Sequence, residues 1–192
     1  MTTRRRLLVA SCAVLIGQAR TVRSEGSVEP RARRLRREEV WVEDASGRRR
    51  RFWADIVADR LVVLNPIFTQ CSSLCPITNA VMAELQELLA DELMRRVRLV
   101  SLGIDPFGDT GPALRAMARE LGAGPAWLWI RAEPYELDRL LRMLSAGTGP
   151  VEDHPPLFLL LDGRTGEALR TDGIPPAERL AELVRNRLGP GG

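Results

Sequence analysis

The sequence predicts an α/β fold: a mainly parallel central sheet with helices on both faces, an N-terminal β-hairpin, and a C-terminal β-hairpin plus helix. Three observations carry this. The run from Leu61 to Phe68 is apolar apart from Asn65 and Pro66, as suits a strand buried on both faces, and Val97–Ile104 and Leu157–Leu161 read as further apolar strands. Segments with a 3.6-residue apolar period lie between them. The two kinds alternate along the chain, which implies parallel strands joined through helices.

Taken in order, Val40-Trp41-Val42 and Phe52-Trp53 flank Asp44-Ala45-Ser46-Gly47 and read as a hairpin. The first core strand starts at Leu61 and is interrupted at Asn65 and Pro66. A loop from Thr69 to Pro76 follows. Val81, Leu85, Leu88, Leu89 and Leu93 then share one face of a helix over Asn79–Arg96, with Pro76 suited to its first turn. Val97–Ile104 is a strand, Pro112–Leu121 a helix stopped by Gly122, and Ala126–Ile130 a Trp-rich strand. Pro134–Leu144 is a helix broken by Gly147-Thr148-Gly149-Pro150. Leu157–Leu161, a turn at Asp162–Gly166 and a strand near Leu169 form the second hairpin, and Pro176–Leu188 closes the domain.

The chain divides into a leader at 1–19, an Arg/Glu-rich flexible arm at 20–39, one domain at 40–188 and a tail at 189–192. Met1–Arg6 is short and positive, Leu7–Ile16 is apolar, and Gly17-Gln18-Ala19 offers small residues before a cut. That is the three-part form of a secretory signal, and Thr3–Leu8 also resembles a twin-arginine signal. The expected location is therefore periplasmic or otherwise extracytoplasmic, with membrane association through the leader if it is not cleaved. No apolar run reaches the length of a spanning helix.

The charge of +3 does not point to nucleic acid. All 28 basic residues are arginine, and three of them, Arg4, Arg5 and Arg6, sit in the leader. The 25 that remain face 25 carboxylates. The clusters Arg31–Arg37 and Arg48–Arg51 read as a solvated arm and a turn.

Once the leader with Cys12 is set aside, Cys71 and Cys75 are the only cysteines. A disulfide closing so short a loop constrains little of the unfolded chain. Burial as two small hydrophobes fits poorly with Ser72, Ser73 and Pro76 around them. Redox or metal chemistry is the better reading. The pair lies after a buried strand and at the start of a helix, where unpaired N–H groups and the helix dipole favour thiolate. If the three intervening residues, against the two of the usual exchange motif, form a helical turn, both sulfurs project to one side, roughly 5–6 Å apart at Cβ. The pair can hold a metal when reduced and close into a disulfide when oxidised.

His154 is the only histidine. It ends a polar loop just before a core strand, and neighbouring loops of a parallel sheet converge. Two thiolates and an imidazole make a three-donor site that suits copper, Cu(I) above all, with Cu(II) tolerated by the imidazole. Structural zinc wants four donors.

Three segments together resemble the Sco/SenC family. They are Asn65–Pro76 with its Cys-x-x-x-Cys-Pro loop, Asp105-Pro106-Phe107-Gly108-Asp109-Thr110, and Asp153-His154 followed by Leu157–Gly163. They stand in that family's order and at similar separations, and the likeness covers roughly residues 40–188. The resemblance implies a thioredoxin-like fold. It also implies a copper-binding accessory protein for the binuclear copper centre of cytochrome c oxidase, whose copper-bearing subunit would be the partner. Cys71, Cys75 and His154 match the family's copper ligands. Asp105 and Asp109 match its acidic loop, as support around the ligands, or else as a turn and a helix cap. The chain departs from the pattern at Ser72, where the family often has Pro, and at Pro155-Pro156 after the histidine.

Two other functions compete. A thiol–disulfide oxidoreductase, served by a thiol reductant, would use Cys71 and Cys75 as its redox pair and leave His154 dispensable. A peroxidase would need a basic neighbour for one cysteine, and no local pattern supplies it.

Overall fold

The computed structural model describes residues 30–148 and 150–189. The expected leader, the first half of the arm and the end of the tail lie outside the described residues. Among the described residues, eight strands form one sheet: β1 (Arg31–Arg34), β2 (Trp41–Asp44), β3 (Arg49–Arg51), β4 (Leu61–Ile67), β5 (Val97–Gly103), β6 (Trp127–Arg131), β7 (Leu157–Asp162) and β8 (Glu167–Asp172). Their order is β1-β8-β7-β4-β5-β6-β2-β3. The centre, β4-β5-β6, is parallel, as expected, and antiparallel strands flank it on both sides.

Among the described residues, four α-helices cover the two faces: α1 (Cys75–Leu88), α2 (Gly111–Glu120), α3 (Pro134–Leu144) and α4 (Ala177–Leu188). Successive residues of the central strands point to opposite faces, so each face has its own core. Val62, Leu64, Val100 and Leu102 pack with Leu137, Leu140 and Leu144 of α3. Leu61, Val63, Leu99 and Leu160 pack with Met82 and Leu85 of α1, Leu114 of α2, and Leu180 and Val184 of α4. All seven residues of β4 are buried. Each fully buried aliphatic side chain stabilises by about 1.5–3 kcal/mol, and this accounts for the lack of alternation in the strand sequences.

Four local expectations are corrected. Residues 31–34 form β1, paired antiparallel with β8 (Arg31↔Arg170 through Arg34↔Glu167), so this part of the arm is an edge strand. Phe52-Trp53 does not extend the first hairpin. That hairpin ends with β3, and Phe52–Val57 is a π-helical turn that buries Phe52, Trp53, Ile56 and Val57. Helix α1 starts at Cys75 and stops at Leu88 rather than Arg96. Leu89 stays buried, but Met94 takes φ 69, which no continuing helix allows. Finally, β7 runs antiparallel to β4 (Leu61↔Asp162 through Leu64↔Leu159), although it was expected to be parallel.

The last correction positions the site. Because β7 is antiparallel to β4, the chain entering β7 lies at the same edge of the sheet as the chain leaving β4. A parallel β7 would have put His154 at the opposite edge from the cysteines.

The antiparallel ladder between β4 and β7 stops at Leu64↔Leu159. Ile67 uses its C=O towards β5, accepting from Ile104 N–H at 2.9 Å. By strand alternation, Pro66 faces β7. Its missing N–H is therefore on the side where the ladder ends. Beyond that point Pro66, Pro155 and Pro156 line a cavity between the two strands.

Candidate metal and thiol site

Cys71 lies in the loop between β4 and α1. Its N–H donates to Phe68 C=O at 3.1 Å, which turns the chain directly after the strand. Cys75 is the first residue of α1, with Pro76 next to it where a helix has no use for the missing N–H. The Cys75 N–H donates to Cys71 Sγ at 3.3 Å, and Ser73 Oγ lies 3.7 Å from the same sulfur. Both cysteines are free thiols.

The two thiols differ sharply. At Cys71, partial burial works against ionisation, but hydrogen bonds from Cys75 and Ser73 outweigh it and bring the pKa down to about 7. At Cys75, burial, the hydrogen bond to Cys71 and the nearby charges of Cys71 and Asp109 push the pKa up to about 12. Cys71 is thus a thiolate for much of the time at neutral pH, and Cys75 stays protonated. This is the helix-start effect expected from the sequence, acting on the first cysteine alone.

His154 follows a short 3₁₀ turn, Val151–Asp153, and precedes Pro155-Pro156. Its ring is mostly enclosed, and burial lowers its pKa, against opposing backbone contacts from Ala146 and Pro155. Among the described residues its Nε2 is buried without a hydrogen-bond partner. A neutral imidazole with an idle nitrogen is the form that binds a metal ion.

Cys71, Cys75 and His154 line one cavity of about 40 Å³, together with Ser73, Thr78 and Pro156. The volume admits an ion or a few waters and is far below the roughly 300 Å³ at which small-molecule sites begin. The three side chains converge on one space without closing on one point. Among the described residues, no three His, Cys, Asp or Glu side chains are close enough to hold an ion together.

The two aspartates do not line the cavity, and their roles diverge. Asp109 is 1% exposed. Its Oδ1 accepts from Thr69 N–H at 2.7 Å and its Oδ2 from Asp105 N–H at 2.9 Å. It therefore ties the cysteine loop to the loop after β5. Burial raises its pKa, with these hydrogen bonds opposing. Asp105 shapes its own turn, accepting from Phe107 N–H at 3.0 Å. The cap of α2 is Thr110, whose Oγ1 accepts from Ala113 N–H at 3.3 Å.

Sequence reading passed over Asn65 and Asn79. Both are almost fully buried beneath the cysteines, and Asn65 Nδ2 donates to Asn79 Oδ1 at 3.4 Å. The available signal was Asn65 itself, a polar residue inside an apolar strand and the first residue of the Asn65–Pro76 motif.

Known proteins agree with this architecture. The SCO1/SenC family model matches residues 45–126, which include both cysteines and both aspartates and end before His154. A SCO1/SenC family lipoprotein from Bacillus anthracis str. Ames superposes with TM-score 0.70 at 20% identity, over 83% of this chain and 98% of that one. BsSco, described with a disulfide switch and as a member of the Sco family of cytochrome c oxidase assembly proteins, gives 0.67 at 21% identity, over 80% and 93%. Copper-bound ScoI from Arabidopsis thaliana gives 0.66 at 15% identity, over 79% and 96%. Among curated proteins there is no match. The fold is thioredoxin-like, and residues 45–126, which carry the cysteine and aspartate motifs, are similar to the SCO1/SenC family.

Proposed function

We propose that this Sco/SenC-like chain is an exported copper-binding protein that delivers copper to, or helps assemble, the binuclear copper centre of cytochrome c oxidase. The observation that carries the reading is that two thiols and an imidazole nitrogen, unpartnered among the described residues, line one ion-sized cavity. The copper-bound Arabidopsis structure and the description of BsSco support it at the level of the family.

Copper is cargo here, and Cys71, Cys75 and His154 are its donors. Cys71 meets the ion first, because it is the more exposed thiol and is about half ionised at pH 7. Cys75 gives up its proton as the metal replaces it, since thiolate is the ligand form. His154 joins by movement of its segment onto the sulfurs, using Nε2 without a tautomer change forced by another partner. A site of two soft sulfurs and one nitrogen favours Cu(I), and a three-donor site releases its ion to a partner more readily than a closed four-donor cage. Asp109 holds the cysteine loop in place, and Asp105 supports the adjoining turn. The recipient is the copper-bearing oxidase subunit, and the leader at 1–19 takes the chain out of the cytoplasm. Among the described residues no helix is long and apolar enough to cross a membrane.

The test is anaerobic titration of the reduced protein with Cu(I). One tight equivalent is expected, and equal binding by a Cys71→Ser variant would overturn the reading.

A second reading, thiol–disulfide exchange with a partner's cysteines, is favoured by one observation: an acidic, accessible Cys71 beside a buried, protonated Cys75 is the arrangement of an attacking and a resolving thiol. Exchange does not need His154. Wild-type reductase activity in His154→Ala, with copper binding lost, would assign the two roles to separate parts of one site.

A further inference from the structure

A line of buried polar groups runs beneath the cysteines in a single donor-to-acceptor direction. Trp127 Nε1–H donates to Ser101 Oγ at 3.0 Å, and Ser101 Oγ–H donates to Asn65 Oδ1 at 2.8 Å. Asn65 Nδ2 donates to Asn79 Oδ1 at 3.4 Å, and Asn79 Nδ2 reaches Met117 Sδ at 3.5 Å. Asn65 and Ser101 are fully buried and Asn79 is 3% exposed. The line crosses β6, β5 and β4 and then passes up into α1 and α2.

We infer that the Asn65–Asn79 amide pair is the positioning element of the dithiol, fixing the start of α1 against the end of β4. Cys71 is held from β4, through its N–H on Phe68 C=O, three residues beyond Asn65. Cys75 begins α1, one turn before Asn79. The 3.3 Å contact from Cys75 N–H to Cys71 Sγ therefore depends on the offset between those two elements. Apolar packing between α1 and the sheet is non-directional and tolerates sliding. A hydrogen bond between buried amides has one register, and a chain of such bonds strengthens each member. Leucine at both positions would match the rest of this core. The polar pair brings positional definition that packing lacks.

This rests on the dithiol reading of the site, and its test separates the two. The full chain is equilibrated with reduced and oxidised glutathione, and the Cys71–Cys75 disulfide fraction is read by mass spectrometry. Each disulfide reduced consumes two glutathione thiols and yields one glutathione disulfide. The variant is Asn65→Leu with Asn79→Leu, which removes both partners and leaves neither amide unpaired. Leu140→Ala, on the opposite face of the sheet, is the control for general loss of stability.

Release of α1 lowers the effective concentration of the two thiols. The disulfide should become about tenfold easier to reduce, equivalent to about 30 mV, and the Leu140→Ala equilibrium should stay at the wild-type value. Asn79→Ser, which shortens the side chain past reach of Asn65, should shift in the same direction and serves if the leucine pair fails to fold. An unchanged equilibrium in a folded clamp variant, or the same shift in Leu140→Ala, overturns the inference. Wild-type protein that binds no Cu(I) overturns the copper reading alone, and a wild-type pair that never closes overturns the clamp.

Discussion

The backbone N–H of Cys75 points at the sulfur of Cys71, 3.3 Å away, and helps to set the two thiols apart. It stabilises negative charge on Cys71 together with bonds from the Cys75 side chain and Ser73, whereas at Cys75 burial outweighs the hydrogen bond from Phe68 N–H. In native protein, iodoacetamide should label Cys71 with a midpoint near pH 7, while Cys75 stays unlabelled up to pH 9. Mass spectrometry of quenched samples reads both sites. Comparable labelling at neutral pH would contradict the assignment. The stability linkage has a definite sign. A thiol whose folded pKa is depressed from 9.0 to about 7 contributes stability that is present above pH 9 and lost as pH falls to 7. Cys71→Ser should flatten the stability profile in that window.

His154 carries a buried nitrogen without a partner, so replacing it should separate binding from folding. His154→Leu keeps the volume and removes the unpaired polar atom. Its stability at pH 7.5 should equal or exceed that of wild type, by about 0–1 kcal/mol, while Cu(I) affinity falls at least tenfold in a chelator competition. Because burial lowers the pKa of this histidine, the wild-type fold loses stability as pH drops through 6.5 and the unfolded imidazole takes up its proton. The leucine variant should lack that loss. A variant that binds copper as wild type does would remove His154 from the donor set.

Asp109 anchors the cysteine loop through two backbone N–H groups. Asp109→Ala leaves both partly buried donors unpaired and should cost about 1–3 kcal/mol in urea unfolding. Asp109→Asn should cost less, since it keeps the shape and one good acceptor. Gly103→Ala tests the same anchor from the other side, because a Cβ there would lie 2.8 Å from Asp109 Cβ. That clash should cost about 1–3 kcal/mol and raise the labelling rate of Cys75. Wild-type unfolding midpoints in both the Asp109→Ala and Gly103→Ala variants would show that the loop is held by something else.

How much of this could be read in the sequence depended on whether the cause was local. Helix α3 was expected at Pro134–Leu144 and spans those residues, because its apolar stripe and its flanking Pro and Gly are all local signals. The Cys loop and the start of α1 were legible for the same reason. The end of α1 was not: Leu88, Leu89 and Leu93 continue the helical period, yet Leu93 forms a bridge to Val97 instead. The direction of β7 is set by the whole topology, and alternation of strands and helices favoured the wrong sense. Convergence of His154 with the cysteines was expected on a parallel-sheet argument, and it arises from the antiparallel pair β4–β7. The amide pair under the site was hidden because each asparagine, taken alone, looks like a flaw in an apolar segment.

The sequences of the two outermost strands, Arg31-Ala32-Arg33-Arg34 and Arg49-Arg50-Arg51, make sense only in the folded sheet, where β1 and β3 are its two edges among the described residues. A free edge presents unpaired N–H and C=O groups that invite another chain to pair, and exposed charge is a common guard against it. Arg50 is committed to Asp44, at 2.7 Å, within the hairpin turn. Arg33 and Arg34 donate to uncharged groups, Arg33 to Ser145 Oγ and Arg34 to Thr165 C=O, so their charge remains available to repel a second edge. Replacing Arg31, Arg33 and Arg34 together by valine should leave the fold and the thiol chemistry intact. It should also make the protein associate with rising concentration, seen as a growing apparent mass in light scattering relative to wild type. Association should be absent in the same triple replacement by glutamate, which restores charge of the opposite sign. A valine variant with the wild-type mass at every concentration would show that these arginines do not guard the edge.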